Sequence, residues 1–186
     1  MLLSVRKRGE TAATLRWIHV QLMETIASWV PTTPEMEVKL LFGAHIWDVA
    51  QHADALGKRT FELRMPLQHS LQPSEPYQRM LGDFAQLKDT AERLACFYDG
   101  ILPALAARYR RYVERTDSLL DAPTVRVLEH IGREQCRMIA EQLALLDQLP
   151  GLTLRHREPV ERFLAREAAI EHFVIHRAEH AAAGVS

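Results

Sequence analysis

The sequence predicts an all-α fold: a four-helix bundle with a long crossover between its second and third helices and an extra helix at the C-terminus. Three observations carry this. Leucine and alanine dominate the 186 residues, and β-branched runs are missing. Apolar residues recur at i, i+3 and i+4 through several long segments, the period of a helix with one buried face. The breaks between these segments coincide with prolines.

The first helix is expected from about Glu10 to Val30, closed by Pro31. Thr33-Pro34 reads as the N-cap and first helical position of a second helix reaching about Arg64. Met65-Pro66 stops it, because a proline biases the preceding residue away from the helical region. Residues 66–88 form the crossover, holding Pro66, Pro73 and Pro76 and a short helix near Tyr77–Phe84. Asp89-Thr-Ala-Glu92 has the form of a capping box and opens a third helix to about Arg115. Gly100-Ile-Leu-Pro103 interrupts that helix and predicts a kink there, either simply accommodated or opening a pocket lined by Tyr98 and Tyr109. Asp121 and Pro123 open the fourth helix, which ends near Leu149-Pro150-Gly151. A fifth runs from Pro159 to Ala183. The expected division is a bundle over residues 1–155 and a helical extension over 156–186.

Charge and composition exclude several classes. The chain carries 23 Lys+Arg against 24 Asp+Glu, a net charge of -1, so no cation excess exists to neutralise a polyanion. No nucleic-acid partner is expected. Two cysteines, Cys96 and Cys136, are too few for a disulfide framework and point to a reducing, cytoplasmic setting. Neither has an activating base in view, which argues against nucleophilic catalysis. No apolar run is long enough to span a membrane, and Met1–Arg8 places its basic residues after a minimal apolar stretch, unlike a signal peptide.

The chemistry lies on the helix faces. On the second helix Glu37, Leu41, His45, Asp48, His52 and Arg59 share one stripe, while most other positions of its first half are apolar. A helix apolar on nearly every side is buried, so the polar stripe is expected to point inward. On the fourth helix Val127, His130, Ile131, Glu134, Met138, Glu141 and Leu145 share a stripe, with Arg137 at its edge. The third helix presents Tyr98, Ile101, Leu105, Tyr109 and Tyr112, with no acid. The first presents Leu15, Ile18, Leu22 and Trp29, with Glu24 off that line.

Two readings follow. In one, the buried polar groups pair with each other and fix helix register, since buried charges are costly unless paired. In the other, His52, Asp48, Glu134 and His130 bind a divalent metal, or His45, Asp48 and His130 act as acid and base on a small molecule. Imidazole with carboxylate suits iron, manganese or zinc.

The segment Asp48-Val-Ala-Gln-His52-Ala-Asp-Ala-Leu-Gly-Lys-Arg59, followed by Glu62-Leu63, resembles the second helix of bacterioferritin-type proteins. Glu134-Gln-Cys-Arg137 and Ala140-Glu-Gln-Leu143 resemble the matching last helix. The resemblance implies a ferritin-like bundle, with His52 and Glu134 as members of two Glu-x-x-His pairs and iron or manganese as the metal. The chain departs from that pattern at two positions. Val49 stands three residues before His52, where the acid belongs, although neighbouring Asp48 shares the stripe. Arg137 stands where the second histidine belongs, and a guanidinium repels a cation. These departures argue against a standard di-iron ferroxidase.

In the tail, His172, His176 and His180 are spaced to share one helical face, either solvated or able to hold a surface metal. The opposite line, Ile170, Val174 and Ala178, is expected to dock on the bundle or on a second copy of the chain. The functional expectation is a divergent ferritin-like enzyme, an iron- or manganese-dependent oxidoreductase acting on a small organic molecule between the second and fourth helices. The alternative is a non-catalytic helical module for interaction or assembly, such as a homodimer formed through the C-terminal helix.

Overall fold

The computed structural model describes residues 3–152 and 157–176. Among them no strand occurs. The helices are α1 (Val5–Trp29), α2 (Met36–Glu62), α3 (Glu75–Ala85), α4 (Thr90–Leu94), α5 (Leu102–Arg115), α6 (Ala122–Leu146) and α7 (Arg157–Ala168). A π-helical segment, Ala95–Ile101, joins α4 to α5 without a break, so six helical rods result. None is long and apolar enough to cross a membrane.

Helix starts follow local capping. The Ser4 hydroxyl accepts the Lys7 N–H at 3.3 Å, and α1 therefore begins a turn before the expected Glu10. Thr33 is not the cap of α2. Its hydroxyl donates back to the Trp29 carbonyl at 2.9 Å, closing the 3-10 turn Val30–Thr32, and α2 starts at Met36. Asp89 does cap α4, accepting the Glu92 N–H at 2.9 Å. The expected kink at Pro103 takes the form of the π segment. The Leu102 N–H reaches the Phe97 carbonyl five residues back, and Pro103, which has no N–H to give, falls in the first turn of α5.

The short turn after α1 returns the chain along it, and α1 and α2 make the most extensive helix pair. α6 packs on both α2 and α5. α1 and α5 pack on each other less than the other neighbours around this ring, and a cleft lies between them. The crossover lies against the first pair. The Leu71 N–H donates to the Ala13 carbonyl, and the Gln68 N–H to the Gly57 carbonyl, each at 3.2 Å. Gly57 makes room for the Gln68 side chain, since an added Cβ would lie 1.9 Å from its amide oxygen. The core runs from Trp29, Phe42 and Phe84 through Phe97 to Leu105 and Met138.

The C-terminal extension departs from expectation. α7 ends at Ala168, and the chain continues non-helically through residue 176. Arg108 explains the exit. Its guanidinium pairs with the Glu167 carboxylate and donates to the carbonyls of Glu167 (3.0 Å) and Ile170 (2.8 Å), satisfying the groups that would otherwise continue the helix. The Ser74 N–H then takes the Phe173 carbonyl at 2.8 Å, and the Phe173 ring lies 4.6 Å from the Arg108 guanidinium. Residues 169–176 thus form a strap across α1 and α5. His172 and His176 share no helical face. His176 bonds the buried Glu10 at 2.9 Å, and His180 lies outside the described residues.

Candidate functional site

The buried line of α2 is Val38, Phe42, His45, Val49, His52, Leu56 and Arg59, a heptad-like spacing that puts a polar residue inward at every seventh position. His45, His52 and Arg59 head three polar layers, about 10 Å apart along the helix.

In the first layer the Tyr98 hydroxyl lies 2.6 Å from His45 Nδ1, and Glu141 Oε2 lies 2.8 Å from His45 Nε2. A carboxylate can only accept, so Nε2 carries the proton and Nδ1 accepts from the phenol. Burial pushes His45 below the ordinary imidazole range, against the opposing pull of Glu141, which favours this neutral tautomer. Tyr98 is held protonated by burial and by the nearby acids Glu141 and Asp48. Arg137 closes the outer side, reaching Asp48 and Glu141 at 2.8 Å and Glu134 at 3.6 Å. Hydrogen bonds from His45 and Arg137 hold the Glu141 carboxyl below its usual range.

The second layer repeats the tyrosine–histidine pairing on the other side of the bundle. His19 Nδ1 donates to the Leu15 carbonyl at 2.8 Å, and its Nε2 accepts from the Tyr109 hydroxyl at 3.1 Å. Burial lowers the His19 pKa to about 4. The His52 ring meets that of His19 edge-on at 5.6 Å, and neither of its nitrogens has a hydrogen-bond partner. Burial, followed by the like charges of His19, His130 and Arg137, lowers the His52 pKa to about 3. Glu134 is its nearest acid, at 3.8 Å from Nε2.

In the third layer the buried Asp121 accepts from the Tyr112 hydroxyl (2.6 Å), the Thr116 hydroxyl (2.8 Å), Thr124 and Arg59 (3.2 Å). Burial alone would raise its pKa, but these hydrogen bonds outweigh burial and lower it.

The structure thus brings together His45, Asp48, His52 and Glu134, with Glu141 and Arg137. His130 is exposed on α6, at the outer edge of the cluster and close enough for its charge to act on His52. The inner face of α6 is Leu128, Ile131, Gln135, Met138, Gln142 and Leu146, one residue round from the expected stripe. Glu134 and Glu141 therefore sit at the seam with α2, and Gln135 and Gln142 fill the core positions. His19 and Asp121 are further buried groups outside the stripes read from the sequence.

These residues do not fit the metal centre that the resemblance implies. Both nitrogens of His45 and of His19 are engaged, and Arg137 holds Asp48 and Glu141. His52 and Glu134 remain, with only the exposed His130 near them, fewer donors than the four or more a transition metal takes. Among the described residues no group of three or more His, Cys, Asp or Glu side chains is arranged to hold an ion. Cys96 is buried, which pushes its thiol up to about 11, and Cys136 is free on the surface.

Access divides the two sides of the bundle. At the α2–α6 seam a shallow groove meets Glu141 but none of the other seam residues, being lined elsewhere by Glu37, Leu41 and Leu145. Between α1, α5 and the strap lies a cleft of about 930 Å³. Leu15, Tyr109, Tyr112, Phe173 and Val174 supply its apolar walls. Tyr109 joins the two regions, since its ring lines the cleft and its hydroxyl bonds His19 behind it. Comparison of the chain with protein-family models, with curated proteins and with solved structures returns no match.

Proposed function

We propose that this chain is a divergent ferritin-like bundle that binds a small organic molecule in the cleft between α1, α5 and the strap. The ferritin-like part of the reading is supported by the order of the rods: a close α1–α2 pair, a crossover carrying α3, and a second pair formed by α4–α5 and α6. The observation that carries the binding part is a contrast between the two sides. At the seam His45, Asp48, Glu141 and Arg137 are committed to one another, whereas the cleft is open, walled by rings and sized for a small ligand. The seam network serves register, as polar layers do in helical bundles.

The test is chemical-shift mapping of a small-fragment mixture on the full chain. Amide shifts clustered on Thr11, Tyr112 and Phe173 are expected. Shifts clustered instead on Ala44, Asp48 and Arg137 overturn the placement.

A second reading, as an assembly module, rests on the outer face of α2. Met36, Leu40 and Trp47 lie on one stripe there and are 61%, 68% and 67% exposed. In light scattering, a dimer that Leu40→Glu/Trp47→Glu converts to monomer supports this reading; a wild-type monomer at high concentration removes it.

A further inference from the structure

We infer that the cleft is built for an organic anion, with Arg111 and Arg115 as the groups that receive its charge; this rests on the reading of the cleft as a ligand site. Three arginines of α5 line the cleft, and they differ in what they already hold. Arg108 is spent: its guanidinium is buried against Glu167, the strap carbonyls and the Phe173 ring. Arg111 and Arg115 are exposed and make no ion pair among the described residues, Arg111 donating only to the Ala107 carbonyl at 3.4 Å. They stand one turn apart with Tyr112 between them, two guanidiniums beside an aromatic wall. A guanidinium presents paired N–H donors that match a carboxylate, sulfonate or phosphate.

The cleft also holds acids. Glu114 lines it three residues after Arg111 on α5, but pairs with neither arginine among the described residues. Glu171 is an exposed strap residue that lines the cleft and likewise pairs with neither arginine. The buried Glu10 beyond the strap is already bonded by Arg6 and His176. Arg8, close enough to act on Tyr112, adds a further positive charge beside the floor. The ligand class is therefore amphipathic: an aromatic or aliphatic body against Phe173 and Val174, over the buried Leu15 and Tyr109, and one anionic end at the two arginines.

The experiment compares two probes of nearly the same shape, anionic 1-anilinonaphthalene-8-sulfonate and neutral N-phenyl-1-naphthylamine, by fluorescence titration of the full chain. Ala168→Trp and Val174→Trp each block the cleft, with circular dichroism confirming helicity. The expected result is that both blocking variants weaken both probes, and that the sulfonate binds about tenfold or more tightly than the neutral probe. Arg111→Gln/Arg115→Gln then removes most of that advantage and spares the neutral probe. If blocking weakens neither probe, or neither binds the wild type, the cleft reading itself falls. If blocking weakens both but Arg111→Gln/Arg115→Gln leaves the sulfonate unchanged, the cleft reading stands and the anion inference is overturned.

Discussion

The Tyr98 hydroxyl donates to His45 Nδ1 across 2.6 Å, tying the π segment to α2 at a point where both side chains are buried. Tyr98→Phe keeps the ring and removes only this donor, leaving Nδ1 buried and unsatisfied. A loss of about 1–3 kcal/mol is expected in urea unfolding. Glu141→Gln leaves an acceptor for Nε2–H and is expected to cost less than Tyr98→Phe.

Stability is expected to fall as pH drops below the ordinary histidine range. His19 and His52 have pKa values lowered to about 4 and about 3, against 6.5 in the unfolded chain. Above pH 6.5 both are neutral in either state, and they contribute no pH dependence. As pH falls below 6.5 the unfolded chain takes up protons that the folded one refuses, so folding stability drops until the folded pKa values are reached. Each histidine contributes a slope approaching 1.4 kcal/mol per pH unit in that window. His45, also lowered by burial, adds to the same slope. His52→Leu is therefore expected to remove only its own share, up to about 1.4 kcal/mol per pH unit between pH 6 and 4.5; an unchanged slope contradicts the assignment.

Asp121 gathers four donors from α2, α5, α6 and the turn before α6. Asp121→Ala leaves three hydroxyls and one Arg59 N–H without their acceptor in the interior, while Arg59 keeps Glu62 at 2.7 Å, and about 3 kcal/mol of stability is expected to go. Asp121→Asn, which keeps the shape and one acceptor, is expected to cost less in the same measurement.

Two helical glycines in α2 are expected to respond with opposite sign. Gly57→Ala drives a methyl into the Gln68 side chain and disturbs its bonds to Arg16 and Asp54, costing about 1–3 kcal/mol. At Gly43 nothing lies within 4 Å of an added Cβ, so Gly43→Ala is expected to stabilise by about 0.5–1 kcal/mol through helix propensity. Thermal melts of the two variants separate these outcomes.

The α2 half of the polar network is legible in the sequence because His45, His52 and Arg59 recur at seven-residue intervals among apolar neighbours. The α6 half is less so. There the sequence offers two adjacent polar residues per layer, Glu134-Gln135 and Glu141-Gln142, and taking the charged member for the inner one turns the stripe by a residue. The interior instead holds the neutral amides and leaves the carboxylates at the seam with Arg137, which avoids burying charge. The strap was beyond reach for a different reason. Nothing local ends α7 at Ala168; the termination comes from Arg108, some sixty residues earlier in the chain. The cleft depends on that strap, so its existence is a tertiary fact.

The most direct measurement is a crystal structure of the full chain soaked with 1-anilinonaphthalene-8-sulfonate. Its rings are expected against Tyr109, Tyr112 and Phe173, and its sulfonate at Arg111 and Arg115, with Asp48, Arg137 and Glu141 still paired at the seam. An empty cleft, with the probe seated at the seam and Arg137 drawn away from Asp48, would contradict this placement.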